Sequence, residues 1–193
     1  MTRFKLAGAC LLLVGCLLAA GLLADATHPI QAPGTAVSDP TSKRTPAGAP
    51  VRISIPAIGV DAKVVGVGLR SDGAMEVPAV DLAGWYEWGP RPGEPGPAVI
   101  IGHVDGRNGP AVFYRLRQLH AGQRILVLGA SGATSAFTVE AVEQQPKSAL
   151  PVGRIWNRTT RPVLRLITCG GSFDRISGRY RDNVIVYAKL SKN

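Results

Sequence analysis

Three residue types, widely spaced along the chain, have the chemistry for acyl transfer through sulfur. Cys169 is the sole cysteine beyond the N-terminal apolar segment, in Val163-Leu164-Arg165-Leu166-Ile167-Thr168-Cys169-Gly170-Gly171. The β-type run is expected to end at Thr168-Cys169, where the glycine pair breaks it. A thiol attacks as the thiolate, so it needs a base or an electrostatic partner. Of the three histidines, His28 lies in a Pro/Thr/Ala-rich stretch and His120 in the turn-like Leu119-His120-Ala121-Gly122. His103 instead follows an apolar run, as Cys169 does, in Ile100-Ile101-Gly102-His103-Val104-Asp105-Gly106. Two strands ending on one rim of a barrel would bring Cys169 and His103 together. Acyl chemistry also needs a group to hold the oxyanion. Arg175, Arg179 and Arg181 follow the cysteine, and Arg181 lies just ahead of the final apolar run. Each residue also has a bland role: a small buried hydrophobe for Cys169, a structural strand end for His103, a solvated surface for each arginine.

The elements that must position these residues are short and extended. Residues 51–55 alternate apolar and polar and stop at Pro56. Further β-like runs cover 62–69, 75–80, 82–88, 98–101, 163–168 and 183–190, and 124–128 with 136–142 read as a hairpin. Residues 112–119 and 150–156 are expected to be helical turns or irregular. With Gly 23 and Pro 15, many short strands and few helices argue a mainly β, closed or nearly closed barrel.

Ahead of this lies a segment of another kind. Arg3 and Lys5 precede an uncharged run from Leu6 to Ala24, long enough to span a bilayer as a helix, and Asp25 follows. That charge order predicts the N-terminus inside and the rest of the chain outside. We read residues 1–26 as a retained signal-anchor. Two rivals are cleavage at Ala24-Asp25-Ala26 and lipidation of Cys16 in Leu13-Val14-Gly15-Cys16. Residues 27–50 read as a flexible tether, and residues 51–193 as the folded domain. The net charge of +9 invites a nucleic-acid reading. The basic residues form no stripe, however, and no RNA-binding aromatic signature is present. The charge suits an anionic membrane or wall surface, or simply a basic solvated one. No cofactor is expected, and no His/Cys spacing fits zinc.

Leu166-Ile167-Thr168-Cys169 resembles the Leu-x-Thr-Cys strand end of sortases, the cysteine transpeptidases of Gram-positive surfaces. Gly102-His103 after an apolar strand resembles their histidine segment, and Arg181 before Val184-Ile185-Val186 resembles their arginine on the last strand. The resemblance runs from about Val51 to Lys189. Gly-His-Val-Asp-Gly, Gly-Pro-Ala-Val-Phe-Tyr and Cys-Gly-Gly-Ser-Phe-Asp are most similar to class F, with class E next. It implies an eight-stranded sortase-type β-barrel with one or two short helices. It also implies a catalytic set of His103, Cys169 and Arg181, and cleavage of a Leu-Pro-x-Thr-Gly-like signal between Thr and Gly through a thioacyl enzyme. The partners it implies are sorting-signal surface proteins, a peptidoglycan precursor amine as acceptor, and the membrane. Thr168 and Trp85 are expected on the substrate-binding surface, although core packing suits at least one of Trp85, Tyr86 and Trp88. Asp182 and Asn183 separate Arg181 from the apolar strand, so a bulge is needed to restore it, and Arg179 would otherwise serve.

Other readings carry their own marks. An L,D-transpeptidase would show a Ser-His-Gly-Cys-type motif, which is absent. A peptidoglycan endopeptidase is the other envelope enzyme of cysteine acyl chemistry. A non-catalytic envelope binding module of β-barrel fold would keep Cys169 as a structural residue, unreactive to alkylation. A degenerate scaffolding fold is disfavoured because all three candidate residues are present.

Overall fold

A computed structural model of the protein describes residues 48–192. The expected anchor at residues 1–26 and nearly all of the expected tether at 27–50 lie outside them. Among the described residues no helix is long and apolar enough to cross a membrane.

Ten strands follow in chain order: β1 (Pro50–Ile55), β2 (Val60–Val67), β3 (Ala83–Tyr86), β4 (Gly96–Ile101), β5 (Asp105–Gly106), β6 (Gly109–Pro110), β7 (Arg124–Gly129), β8 (Thr134–Pro146), β9 (Pro162–Asp174) and β10 (Arg179–Leu190). Eight of them close a barrel in the order β1-β2-β3-β4-β9-β10-β8-β7, and β5 pairs with β6 apart from it. The β2–β3 and β4–β9 pairs are parallel. The one α-helix among the described residues, α1, is a single turn at Val152–Ile155. The fold is therefore the mainly β barrel the turn-rich sequence predicts.

Strand alternation divides the core in two. Ala98 and Ile100 on β4, Leu164 and Leu166 on β9, and Val186 and Ala188 on β10 fill the barrel interior. Val99, Ile167, Ile185 and Tyr187 point outward, where Ile155 of α1 covers them. Burial on both faces explains why 184–188 is a continuous apolar run, and why Arg165 is the one polar residue in 163–167. The Arg154 guanidinium lies 4.1 Å over the Tyr187 ring and 2.5 Å from Glu143, tying the helical turn to the sheet.

Several elements depart from their sequence-derived bounds. β9 runs through Gly170-Gly171 to Asp174, and β10 starts at Arg179. Residues 75–80 form no strand; only Met75 makes a bridge, to Leu69. Residues 112–119 contain a single 3-10 turn, Leu116–Gln118.

Ile155 is fully buried and fastens the segment between β8 and β9. Ile155→Ala is expected to cost about 2–4 kcal/mol, read as a lower midpoint in chemical denaturation.

Candidate active site

The parallel β4–β9 pair fixes the site. Its register ends at Ile101↔Ile167, and the Gly102 amide still donates to the Ile167 carbonyl at 3.1 Å. One step on, Thr168 Oγ1 donates to the Gly102 carbonyl at 2.7 Å, across 66 residues of chain. Counting on in the same register sets His103 against Cys169, two residues past the last pair. By alternation they share the outward face with Ile101 and Ile167. Both line one cavity of about 270 Å³, together with Thr168, Lys147, Arg179 and Tyr180. A smaller cavity of about 190 Å³ lies on another side of Cys169, with Tyr114, Arg117 and Gly170 in its wall.

Gly102 is required by close approach. A Cβ there would sit 2.6 Å from Phe113 and 2.7 Å from Val112, so the chain after β4 packs where a side chain would stand. That packing shapes the histidine loop: the Phe113 amide donates to the His103 carbonyl at 2.9 Å, and Ala111 to Val104 at 3.1 Å. The His103 ring has its Nε2 3.1 Å from the Pro78 carbonyl. A carbonyl only accepts, so the contact calls for a proton on Nε2, which leaves Nδ1 as the nitrogen available for proton transfer.

The other wall comes from the β9–β10 hairpin. Its register shifts between Tyr180 and Asp182, so Gly171 and Ser172 face Arg181 alone. Gly171 takes φ 74, the left-handed region that favours glycine. This bulge carries β9 past Cys169 and keeps the hairpin over the cavity. Phe173 and Tyr180 pack edge to face with centroids 5.1 Å apart. The Tyr180 hydroxyl donates to Asp105 of the histidine loop. That hydrogen bond, which needs the phenol proton, pushes the Tyr180 phenol up to about 12, with burial and the nearby negative charge adding to it.

The sequence-derived residues divide cleanly. Cys169, His103 and Thr168 come together. Trp85 does not join them: it is buried inside the barrel, donating from Nε1 to the Pro90 carbonyl at 3.1 Å. Its alternation on β3 sets it beside Ile100 of the interior. Arg179 lines the larger cavity. Arg181 lies within β10, and its guanidinium is 3.4 Å from Asp174. The Asp174 carboxyl is held below its usual range chiefly by the amides of Ser177 and Ile176. The bulge sits on β9, opposite Arg181, rather than on β10.

Lys147, Tyr180 and Asn183 escaped the sequence reading. Lys147 Nζ lies 3.5 Å from Cys169 Sγ, and Asn183 is the buried cross-strand partner of Cys169. Register alone reveals the Asn183 contact, and no local pattern marks Lys147. Lys147, Arg179 and Arg70 line the larger cavity against one carboxylate, Asp105. That balance favours a thiolate and a developing oxyanion. Among the described residues no group of three or more His, Cys, Asp or Glu is placed to hold a metal ion.

Two outcomes test this geometry. Thr168→Val leaves the buried Gly102 carbonyl without its donor, for an expected loss of about 1–3 kcal/mol seen as a lower melting temperature. Ultraviolet titration of the wild type against Tyr180→Phe should show one phenol titrating near 12. Asp105→Asn should return that phenol toward about 10. The tie favours the protonated phenol, so its contribution is complete below the unfolded value and is lost as pH rises through the folded one.

The family model described as "Sortase domain" matches residues 53–191. No curated protein matches the chain in sequence. Sortase C-1 from Actinomyces oris superposes with TM-score 0.58 at 20% identity, over 74% of this chain and 71% of that one. Sortase A from Corynebacterium diphtheriae gives 0.59 at 18% identity, over 78% and 64% of the two chains. The Clostridium perfringens sortase D5 transpeptidase gives 0.56 at 21%, over 75% and 79%. At these identities the structural likeness concerns the fold.

Proposed function

The chain belongs to the sortase family of cysteine transpeptidases, and from that premise we propose that it cleaves a Leu-Pro-x-Thr-Gly-like sorting signal between Thr and Gly. The acyl group then passes to a cell-wall amine. The observation that carries this reading is the cavity shared by Cys169 and His103.

The Cys169 thiolate attacks the Thr carbonyl carbon, and the carbonyl π electrons move to oxygen. Collapse of that oxyanion expels the Gly nitrogen, which takes a proton from His103 Nδ1, leaving a thioester. An incoming amine attacks the thioester, gives a proton back to Nδ1, and releases the thiolate. Water in place of the amine yields hydrolysis. Thr168 lines the peptide site. On the family pattern Arg181 steadies the oxyanion, once its guanidinium leaves Asp174. Arg179 is the competing assignment, favoured by its place in the cavity wall.

The same reading makes the protein a class F sortase, with class E the alternative. The chain is then a single-pass protein of the cell membrane, N-terminus inside and catalytic domain outside. Its clients are surface proteins bearing the sorting signal, and its acceptor is a peptidoglycan precursor amine.

The test is a Leu-Pro-x-Thr-Gly peptide library offered to the full chain with triglycine or a diaminopimelate-type amine, with products read by mass spectrometry. A product joined at Thr to the amine, absent in Cys169→Ala, is expected. No cleavage, with Cys169 inert to alkylation, would return the domain to the binding-module reading. His103→Ala should lower kcat/KM by roughly 100- to 10,000-fold. Of Arg179→Ala and Arg181→Ala, the variant with the larger fall in kcat identifies the oxyanion arginine.

A further inference from the structure

We propose that Lys147 is a further catalytic residue, a cation set directly on the sulfur that holds Cys169 as the thiolate. This rests on the reading of Cys169 as the nucleophile. Lys147 follows Pro146, the last residue of β8, and opens a 3-10 turn, Lys147–Ala149. Across the sheet, Gln145, Asn183 and Cys169 form one row, and Pro146, Asp182 and Gly170 the next. Lys147 therefore starts two strands away from the cysteine. The strand spacing of about 4.8 Å means its side chain must reach over β10 to meet the sulfur. It does so, with Nζ 3.5 Å from Sγ.

The surrounding charges make that contact consequential. Facing Cys169 in the larger cavity are His103 from the loop after β4, Arg70 from the loop after β2, and Arg179 and Tyr180 from β10. Tyr114 and Arg117 face it in the smaller one. The single carboxylate in either wall is Asp105, and it accepts from the Tyr180 hydroxyl. The six salt bridges found among the described residues do not include Lys147. Its charge is thus directed at the sulfur, and a cation within about 4–6 Å favours the ionised partner. The consequence is a division of labour. Lys147 keeps the sulfur ionised, and the His103 proton stays in reserve for the leaving amine. After the thioester forms, the ammonium loses its anion and faces the acyl group. When the acceptor amine displaces the sulfur, the ammonium again meets a thiolate leaving group. No proton leaves Lys147 at any step.

The experiment is the rate of Cys169 alkylation by iodoacetamide between pH 5 and 9 in the full chain. Modification at Cys169 is read by peptide mass spectrometry, for wild type, Lys147→Met and Lys147→Arg. In Lys147→Met the profile should move to higher pH by about one unit, so alkylation at low pH falls roughly tenfold. Lys147→Arg, which keeps the charge, should stay near wild type. Peptide transfer by Lys147→Met should fall at low pH and recover at high pH. Coincident wild-type and Met profiles would overturn the proposal. So would an Arg variant shifted as far as the Met variant, or a loss of transfer that high pH does not restore. Should wild-type Cys169 alkylate but transfer no peptide, the proposed function fails, while the alkylation profiles still decide the role of Lys147.

Discussion

The hydrogen bond from Thr168 to the Gly102 carbonyl closes the parallel ladder between β4 and β9 just before His103 and Cys169. A parallel pair cannot be set by a tight turn, and here β5 to β8 lie between its two strands in the chain. Its register is held instead by the two-sided burial of residues such as Ile100, Leu166 and Ile167. A slip of one residue would send Leu166 outward and Ile167 inward. The same slip would turn Cys169 away from His103. Core packing and the placing of Cys169 beside His103 are therefore one constraint, and Thr168 satisfies its buried hydroxyl in meeting it.

Around that ladder the site is assembled from loops that a rigid barrel carries. Phe113 and Val112 pack against Gly102 and fold the histidine loop back on itself. The bulge at Gly171 lets the β9–β10 hairpin continue past the thiol rather than stop at it. Tyr180 and Asp105 then join hairpin and loop over the cavity. The segment after β8 brings Lys147 in from the third side while Ile155 fastens its far end to the barrel's outer face. Each wall is held at two places, and the Cys169 thiol lies between them.

The sequence disclosed the parts of this arrangement that local pattern controls. Alternation at 51–55, the apolar run at 98–101, the β-type run at 163–168, and the hairpin signal near Gly129 all correspond to strands. Cys169 and His103 stood out because each follows such a run. What local pattern does not control stayed hidden. Gly170-Gly171 reads as a strand end, yet neighbouring β10 supplies partners that carry β9 on to Asp174. Residues 75–80 look extended, but only Met75 finds a bridging partner. Trp85 reads as a groove aromatic, and the parity of β3 sends it inward. Lys147 has no sequence mark, since its contact with Cys169 depends on a strand order visible only in three dimensions.

The site depends on the β4–β9 register carrying on past Ile101 and Ile167 to set His103 against Cys169, and a covalent ruler measures that directly. Adjacent strands at one level put Cα atoms within the range of about 4.4–6.8 Å that a disulfide bridges. Oxidised His103→Cys, digested and read by mass spectrometry, should contain position 103 linked to Cys169. Absence of that link, with both thiols still open to alkylation in the folded protein, would contradict the register on which the site is built.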